Sequence, residues 1–255
     1  MNQHAVSREV HQRFDADGFV TLRQFVNGAG RRELLANVDR FVRQVVPQLP
    51  SEHVFYEDKN DPATLKQIQQ MGEHDPSFHD MLTTGDFRKV AEALLQAAVV
   101  PVNLQYFSKP PGVGRPTPPH QDGCYFMLDP CEAVTMWLAL DDVDTENGCV
   151  RYVPGSHKRG MREHFRTQTL GFSQGIVDYP TTEDAQQEIA LPARSGDLLV
   201  HDALTIHRAD GNHSAVRSRR ALGLVYYSVR AQKDSAAHAA YQRRLTDEMK
   251  ASGRI

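Results

Sequence analysis

The second half of the chain contains a series of short β-like segments with no helical segment between them, and this limits the fold more than any other feature. Clusters of Gly, Pro, Asn and Asp separate the segments. Parallel strands need long, usually helical connections, so this pattern disfavours a parallel sheet. It predicts an antiparallel sandwich or barrel over about residues 99–230. The segments are VVPVNLQYFS, HQDGCYFML, AVTMWLAL, CVRYVPGS, GDLLVHDA, TIHRA and RRALGLVYYSV.

The first half, about residues 1–98, has a mostly helical pattern. GAGRRELLANVDRFVRQVVPQL places apolar residues at helical spacing until Pro47. In DPATLKQIQQM, Asp61 and Pro62 are typical of the start of a helix. TTGDFRKVAEALLQAAV predicts a further helix, GFVTLRQFV a short strand, and SAAHAAYQRRLTDEMK a C-terminal helix at about 235–250. We therefore expect one mainly β domain of 255 residues, with a helical N-terminal layer on a barrel.

Composition excludes several classes of protein. The net charge of -3 is unlike the strongly basic balance of nucleic-acid-binding domains. No apolar run approaches the ~18 residues of a membrane span, and the N-terminus lacks the apolar core of a secretory signal. The three cysteines have no Cys-x-x-Cys spacing, which favours buried thiols over a disulfide framework or structural zinc. We expect a cytoplasmic protein that acts on a small molecule, with no nucleic-acid or membrane partner.

The stretch PPHQDGCYFML contains a candidate pair of metal ligands. His120 is the only histidine of the chain with an acidic residue two positions later, Asp122. Residues i and i+2 of a strand share one face, so both side chains would point into the barrel. Two histidines and one carboxylate suit non-haem Fe(II) oxygen chemistry, because they leave coordination positions open. The pair needs a third ligand from a distant part of the chain.

The third ligand and a cation are expected between residues 196 and 228. Candidate ligands are His201, His207 and His213. His213 lies in a polar turn, whereas the other two lie in β-like stretches. A returning strand carries Arg217, Arg219 and Arg220, and a hairpin would bring one of them near His207, although spacing does not select which. A buried guanidinium could hold a carboxylate with two hydrogen bonds.

Three ordered stretches resemble the phytanoyl-CoA dioxygenase family of Fe(II)/2-oxoglutarate oxygenases. They are SKPPGVGRPTPPHQD, MWLALDDVDTENGCVRYVPGSHKRG, and the segment from SGDLLVHDALTIHRADGN to SRRALGLVYYS. The resemblance implies a double-stranded β-helix, that is, a jelly-roll or cupin-like barrel. It also implies that His120, Asp122 and His207 bind the iron. The arginine of the R-x-A context, Arg219, would bind the far carboxylate of 2-oxoglutarate, whereas His201 is not expected to be a ligand.

The same resemblance implies further contacts to 2-oxoglutarate, together with one departure from the family. The implied contacts are Lys66 on a predicted helix, Gln105, Trp137 and Gln121. Many relatives have a serine two residues after the distal histidine, and here that residue is Ala209. Arg219 would therefore need another donor as its partner. The segments 108–119, 167–188 and 53–61 are expected to cover the cavity or select the substrate.

The implied activity is a dioxygenase reaction that uses Fe(II), 2-oxoglutarate and O2, supported by ascorbate in vitro. Hydroxylation or oxidative cyclisation in specialised-metabolite biosynthesis is one expectation. Catabolic hydroxylation of a small nutrient, such as an aminophosphonate or an acyl derivative, is another. Asp122 argues against halogenation, for which relatives replace the carboxylate ligand. Two alternatives stay open: a zinc hydrolase that uses the same ligands without Arg219, and a non-catalytic ligand-binding barrel.

Overall fold

A computed structural model describes residues 6–167, 169 and 171–251 of the chain. The helices are α1 (Arg8–Asp17), α2 (Gly28–Gln44), α3 (Met71–His74), α4 (Pro76–Thr83), α5 (Asp86–Leu95), α6 (Gly123–Phe126), α7 (Thr182–Gln187) and α8 (Ser235–Ala251), with short 3-10 turns at Val46–Gln48, Ser51–His53, Pro62–Thr64 and Ser156–Arg159. The strands are β1 (Phe19–Leu22), β2 (Val54–Tyr56), β3 (Leu65–Ile68), β4 (Val99–Lys109), β5 (Thr117–His120), β6 (Leu128–Asp129), β7 (Ala133–Ala139), β8 (Val150–Tyr152), β9 (His164–Arg166), β10 (Gln174–Ile176), β11 (Ile189–Leu191), β12 (Leu198–Asp202), β13 (His207–Ala209), β14 (Arg219–Ser228) and β15 (Gln232–Lys233). Most of the predicted strands and helices are therefore confirmed.

Two antiparallel sheets form the β part of the molecule. The large sheet has the order β1-β12-β7-β14-β4-β3-β2, and the small sheet has the order β11-β8-β13-β5. In the part shared by the two sheets, consecutive strands such as β7 and β8, or β12 and β13, lie in different sheets, so these connections cross from one sheet to the other, as in a jelly roll. β1 and the β2–β3 pair extend the large sheet at its two edges. The N-terminal half thus supplies edge strands as well as helices.

One face of the large sheet packs against the helical layer. On β7, on β14 and on β4 from Leu104 onward, the residues of this face have even numbers, because side chains alternate along a strand. Leu104, Met136, Leu222 and other even-numbered residues join residues of α2, α4 and α5 in one buried cluster. Pro47 follows α2 as predicted, within the 3-10 turn that ends the helical run. This cluster is the main hydrophobic core.

The opposite face of the large sheet packs against the small sheet. Its residues have odd numbers: Trp137, Leu199 and Ala221 lie in a second buried cluster with Val150 and Tyr152 of the small sheet. The two sheets therefore enclose a narrow interior, and polar residues at odd positions of the large sheet must lie within it. That interior contains the site described below.

Three local predictions are wrong. Residues 61–71 do not form a helix: Asp61 caps only the 3-10 turn Pro62–Thr64, and the chain continues as β3, which pairs with β4. The strand predicted for HQDGCYFML ends at His120, and α6 follows. β13 and β14 do not form a hairpin, because β13 pairs with β5 and β8 whereas β14 pairs with β4 and β7.

Two further features bear on the expectations from composition. None of the described helices has both the length and the apolar character needed to span a membrane. The three cysteines are free thiols, and Cys149 is buried as expected. The thiols of Cys124 and Cys131 are only partly covered.

Candidate metal centre

His120, Asp122 and His207 converge between the two sheets. Their ligand atoms lie within 4.8 Å of one another. Asp122 Oδ1 is 3.4 Å from His120 Nε2 and 3.7 Å from His207 Nε2. His120 and His207 are paired directly across β5 and β13, so the ladder of the small sheet places both rings side by side. The three residues predicted as ligands are thus brought together.

The local conformation of Asp122 differs from the one assumed for a continuous strand. Asp122 has helical backbone angles and precedes α6. The chain turns after His120, and this turn directs the carboxylate towards the two imidazoles. Proximity in the sequence therefore identified the correct pair, although the strand geometry used to predict it does not apply.

Backbone carbonyl groups orient both imidazole ligands. The Nδ1 atom of His120 is 2.7 Å from the carbonyl oxygen of Pro118, and that of His207 is 2.9 Å from the carbonyl oxygen of Thr205. A carbonyl can only accept a hydrogen bond, so both Nδ1 atoms carry the proton. Both Nε2 atoms then have a free lone pair directed towards Asp122, as metal-binding histidines require.

Electrostatics favour the protonation states that bind a metal. Burial alone would raise the pKa of Asp122, but the hydrogen bond from His201 and the other histidines around the carboxylate hold it well below its ordinary value. Burial and the neighbouring His120 and His201 lower the pKa of His207 well below its ordinary value. At neutral pH the group is therefore a carboxylate with a neutral His207 imidazole, which is the form that coordinates a cation.

A cavity of about 700 Å³ contains the three candidate ligands. This volume is typical of small-molecule sites. Its walls come from both sheets, and its outer part from α8 and from residues near the β9–β10 pair. The segments predicted to cover the site contribute lining residues such as His53, Arg115 and Phe172. Residues 168 and 170 of the predicted 167–188 cover lie outside the described residues.

Arg219 lies in the same cavity as a buried cation. Its side chain is 4% exposed, its Nε donates to the carbonyl oxygen of Gly148, and its guanidinium carbon is 4.9 Å from the centre of the Trp137 ring. Among the described residues, no carboxylate forms an ion pair with it. Arg217 and Arg220, by contrast, pair with Asp144 and Asp141 respectively. Of the three candidate arginines, Arg219 is the one in the cavity with its charge unpaired.

Alternation along β7 relates the Arg219 end of the cavity to the metal ligands. Trp137 and Thr135 are two residues apart on one face, hence about 7 Å apart along the strand. Thr135 Oγ1 donates to Asp122 Oδ2 at 2.5 Å. The unpaired guanidinium beside Trp137 and the carboxylate beside Thr135 therefore lie next to neighbouring inward positions of the same strand and line one cavity.

Lys66, Gln105 and Trp137 all line the cavity as predicted. Lys66 lies on a strand instead of the predicted helix, and its Nζ pairs with Glu57 Oε1 at 3.2 Å. Burial lowers the pKa of Lys66, although Glu57 opposes this. Gln105 accepts a hydrogen bond from Gln67 Nε2 at 2.9 Å. These three residues stay candidates for contacts to a bound molecule.

Gln121 has a different environment from the other predicted contacts. Its side chain is fully buried, donates to the carbonyl oxygens of Gly160 and Leu204, and accepts from the backbone N–H of Arg162. It does not appear among the lining residues of the cavity. In the structure, Gln121 therefore connects the segment between the candidate ligands His120 and Asp122 to the neighbouring loops.

Sequence reasoning missed Lys109 as a residue of the site. Lys109 is 4% exposed and lies directly opposite Arg219 in the β4–β14 ladder. Burial and the charge of Arg219 lower the pKa of Lys109 well below its ordinary value. Its odd number, shared with Gln105 on the same strand, was the available signal. The sequence indicates His201 only as a candidate metal ligand. In the structure its Nε2 lies 3.1 Å from Asp122 Oδ2, the oxygen that does not face the other two histidines.

Comparison with known proteins agrees with this geometry. A family model for Phytanoyl-CoA dioxygenase (PhyH) matches residues 14–221. The chain is 31% identical over 182 residues to Phytanoyl-CoA dioxygenase 1 of Oryza sativa subsp. japonica, which covers 67% of this chain and 63% of the rice protein. It is 27% identical over 244 residues to Phytanoyl-CoA dioxygenase of Arabidopsis thaliana, with 83% and 85% covered. The chain thus spans just under two thirds of the rice relative.

A solved structure has the same fold. The non-heme alpha ketoglutarate dependent carbocyclase SnoK from nogalamycin biosynthesis superimposes with a TM-score of 0.73 and 24% sequence identity, over 94% of this chain and 92% of SnoK. This likeness confirms the predicted fold class. The match of the family model over most of the chain confirms the family predicted from the motifs. The chain belongs to the phytanoyl-CoA dioxygenase family.

Proposed function

We propose that the protein is an Fe(II)- and 2-oxoglutarate-dependent dioxygenase that oxidises a small molecule. One observation carries the proposal: a buried, unpaired guanidinium lies in the same cavity as a two-histidine, one-carboxylate set of ligand atoms. The ligand set suits ferrous iron. The lone cation suits an anionic co-substrate, since a buried charge without a partner is costly.

The donor set fits an iron ion on three grounds. The three atoms that would bind it are His120 Nε2, His207 Nε2 and Asp122 Oδ1, and they face one another at distances that leave room for a cation. Both imidazoles are in the required tautomer. The cavity extends beside the three ligand atoms and leaves space in which 2-oxoglutarate and O2 would bind. Bound iron and 2-oxoglutarate would together supply the activation of O2 for attack on a C–H bond.

The residues of the chain would orient the co-substrate and exclude water. Arg219 would hold the far carboxylate of 2-oxoglutarate, with its planar donor group fixed by Gly148 and Trp137. Burial lowers the pKa of Arg219 to about 10, so the side chain stays cationic at neutral pH. Lys66, Gln105 and Trp137 would line the path between this carboxylate and the iron. Phe172, whose ring centre lies 5.6 Å from that of His120, would cover the metal from the outside.

Arg219 also weighs against the zinc-hydrolase alternative. A hydrolase that uses the same three ligands needs a metal-bound water and no buried guanidinium without a counter-charge. The intact ligand set weighs against a non-catalytic barrel. Because Asp122 supplies the carboxylate ligand, no position is left for a halide ion in its place. We therefore propose an oxidation and not a halogenation.

We propose that the substrate carries both an apolar skeleton and hydrogen-bonding groups. The outer cavity combines aromatic residues such as Phe126 and Tyr227 with amides such as Gln70, Asn103 and Gln242. Such a mixture suits a functionalised specialised metabolite, and the structural neighbour SnoK is a carbocyclase from nogalamycin biosynthesis. The reaction would end either in a hydroxyl group or in ring closure. Mass spectrometry would separate the two outcomes, as gain of one oxygen or loss of two hydrogens.

Succinate release tests the proposed activity. Wild-type protein, with Fe(II), ascorbate and 2-oxoglutarate, should release succinate, and His207→Ala should abolish this release. Arg219→Ala should strongly reduce it at 2-oxoglutarate concentrations near the wild-type KM, whereas Arg220→Ala serves as the matched control. Turnover with Zn²⁺ and without 2-oxoglutarate would instead support a hydrolase. A folded protein that takes up no metal would support the non-catalytic barrel.

A further inference from the structure

The two oxygens of the Asp122 carboxylate have different partners. Oδ1 faces the Nε2 atoms of His120 and His207 at 3.4 and 3.7 Å. Oδ2 accepts hydrogen bonds from Thr135 Oγ1 at 2.5 Å and from His201 Nε2 at 3.1 Å. The protein therefore holds one oxygen and leaves the other free for a metal.

A buried tyrosine determines the tautomer of His201. Tyr152 Oη lies 3.0 Å from His201 Nδ1, and both residues are at most 2% exposed. If the phenol donates to Nδ1, the imidazole proton is on Nε2 and points at Asp122 Oδ2. The other tautomer would direct a lone pair at the carboxylate, which is repulsive. Tyr152 is held in turn by Phe19, whose ring is stacked on it with centres 4.5 Å apart.

The strands fix the positions of these groups. His201 lies opposite Thr135 in the β12–β7 ladder and opposite Phe19 in the β12–β1 ladder. Tyr152 lies on β8 of the small sheet, directly opposite the candidate ligand His207 on β13. A chain of hydrogen bonds from Tyr152 through His201 to Asp122 therefore connects the two sheets beside the metal centre.

We propose that His201, oriented by Tyr152, is a positioning residue that holds Asp122 with Oδ1 turned towards the metal position. With Oδ2 held by one O–H donor and one N–H donor, the carboxylate cannot turn without breaking both hydrogen bonds. If Asp122 could rotate, Oδ1 would no longer be fixed beside the two imidazoles, and the three ligand atoms would be less well arranged for a cation. The inference rests on the proposed function in so far as a metal occupies the three-ligand site.

The test compares two substitutions of His201 by their affinity for Mn²⁺, without 2-oxoglutarate or turnover. His201→Phe keeps a ring of similar size but removes the donor, and should weaken Mn²⁺ binding about 10- to 100-fold, the usual effect of losing a partner of a metal ligand. His201→Gln keeps an N–H donor at a similar reach and should restore most of the affinity. Binding is measured from the electron paramagnetic resonance signal of free Mn²⁺.

A matched pair of tyrosine variants distinguishes an effect on the metal site from a general loss of protein stability. Tyr152→Phe and Tyr226→Phe each remove one buried phenol hydrogen bond, the latter to the carbonyl oxygen of Leu82 far from the cavity. Only Tyr152→Phe should weaken Mn²⁺ binding, although both should lower the melting temperature of the metal-free protein. If His201→Phe does not fold, the affinities of His201→Gln and Tyr152→Phe for Mn²⁺ are compared with that of the wild type instead.

The possible results are distinct. Wild-type affinity in His201→Phe overturns the positioning role but leaves the proposed dioxygenase intact. Equal losses in His201→Phe and His201→Gln also overturn it, because they would indicate that His201 itself binds the metal. A wild-type protein that binds no Mn²⁺ overturns both proposals. A wild-type protein that binds Mn²⁺ but releases no succinate overturns the proposed activity alone.

Discussion

The two faces of the large sheet are built from the same strands yet serve different purposes. On β14, the even-numbered Leu222, Leu224 and Tyr226 pack against the helical layer. The odd-numbered Arg219 and Val225 line the cavity instead. Because side chains alternate with a period of two, one strand can carry stability on one face and binding on the other. Substitutions at adjacent residues of such a strand should therefore affect either the free energy of unfolding or the binding of 2-oxoglutarate, and not both.

The largest expected effect is the loss of co-substrate affinity in Arg219→Met. A buried charged hydrogen-bonding partner contributes about 2–5 kcal/mol, so KM for 2-oxoglutarate should rise by about 30-fold or more. The free energy of unfolding of the protein without co-substrate should stay constant or rise, because a lone buried cation is removed. Succinate release against 2-oxoglutarate concentration gives KM, and urea unfolding gives the stability.

Arg220→Met is the control for this prediction, since its guanidinium pairs with Asp141 and Asp39 outside the cavity. It should lower stability slightly and leave KM unchanged. A rise in KM of similar size in both variants would break the separation between the two faces.

The second effect is on the core face. Leu222 is fully buried among residues of the helical layer, so Leu222→Ala should lower the free energy of unfolding by about 2–5 kcal/mol. KM for 2-oxoglutarate should not change where the variant is still folded. Val216→Ala, at a side chain that is 85% exposed, should change stability by less than about 0.5 kcal/mol. A core variant that raises KM without unfolding would show that the faces are coupled.

Much of this two-faced arrangement could be predicted from the sequence. The uninterrupted run of β-like segments was sufficient to predict the antiparallel sandwich, whereas Gln105, Trp137 and Arg219 were predicted from the family resemblance. The ligands His120, Asp122 and His207 came from a motif and a family resemblance. Local patterns are informative here because alternation depends only on backbone geometry.

What could not be predicted depends on contacts between distant residues. Asp61 does cap a turn, as its sequence context indicates. However, Leu65–Ile68 pairs with β4 as a neighbouring strand, and this pairing overrides the helical pattern. The role of His201 depends on Asp122, 79 residues away, and on Tyr152, 49 residues away. No pattern along the chain indicates such hydrogen bonds, because nothing local distinguishes a buried histidine with two partners from any other.

A third and smaller effect concerns the helical layer alone. Asp75 caps α4 through Ser77 N and pairs with Arg40 of α2 at 2.5 Å. Burial would raise the pKa of Asp75, but its bonds to Ser77 and Arg40 hold it below the ordinary 3.8. Asp75→Asn should therefore cost about 1.5–3 kcal/mol at neutral pH, with no change in KM.

The sign of the pH dependence follows from the lowered pKa. A carboxylate with a depressed folded-state pKa stabilises the protein above its ordinary pKa and loses this contribution as the pH falls. The difference between wild type and Asp75→Asn should shrink when urea unfolding is repeated below about pH 3.8. A difference that does not depend on pH would mean that packing, and not charge, anchors α4.

The smallest effect is a gain in binding on the cavity face. Ala209 follows the candidate ligand His207 by two residues, lines the cavity and is 3% exposed. A hydroxyl added there by Ala209→Ser would have no assured partner in the free protein and should cost about 1–3 kcal/mol of stability. If the far carboxylate of 2-oxoglutarate lies between Arg219 and residue 209, the hydroxyl would donate to it. KM should then fall about 2- to 12-fold, which corresponds to 0.5–1.5 kcal/mol.

Ala133→Ser places the same group at a fully buried position outside the cavity lining, so it should cost similar stability without any change in KM. A lower KM in Ala209→Ser alone would locate the far carboxylate on the β13 side of Arg219. An unchanged KM is expected if the carboxylate lies towards β4, where Lys109 is directly opposite Arg219 in the ladder. Either result assigns the second donor that the absence of a serine at this position leaves open.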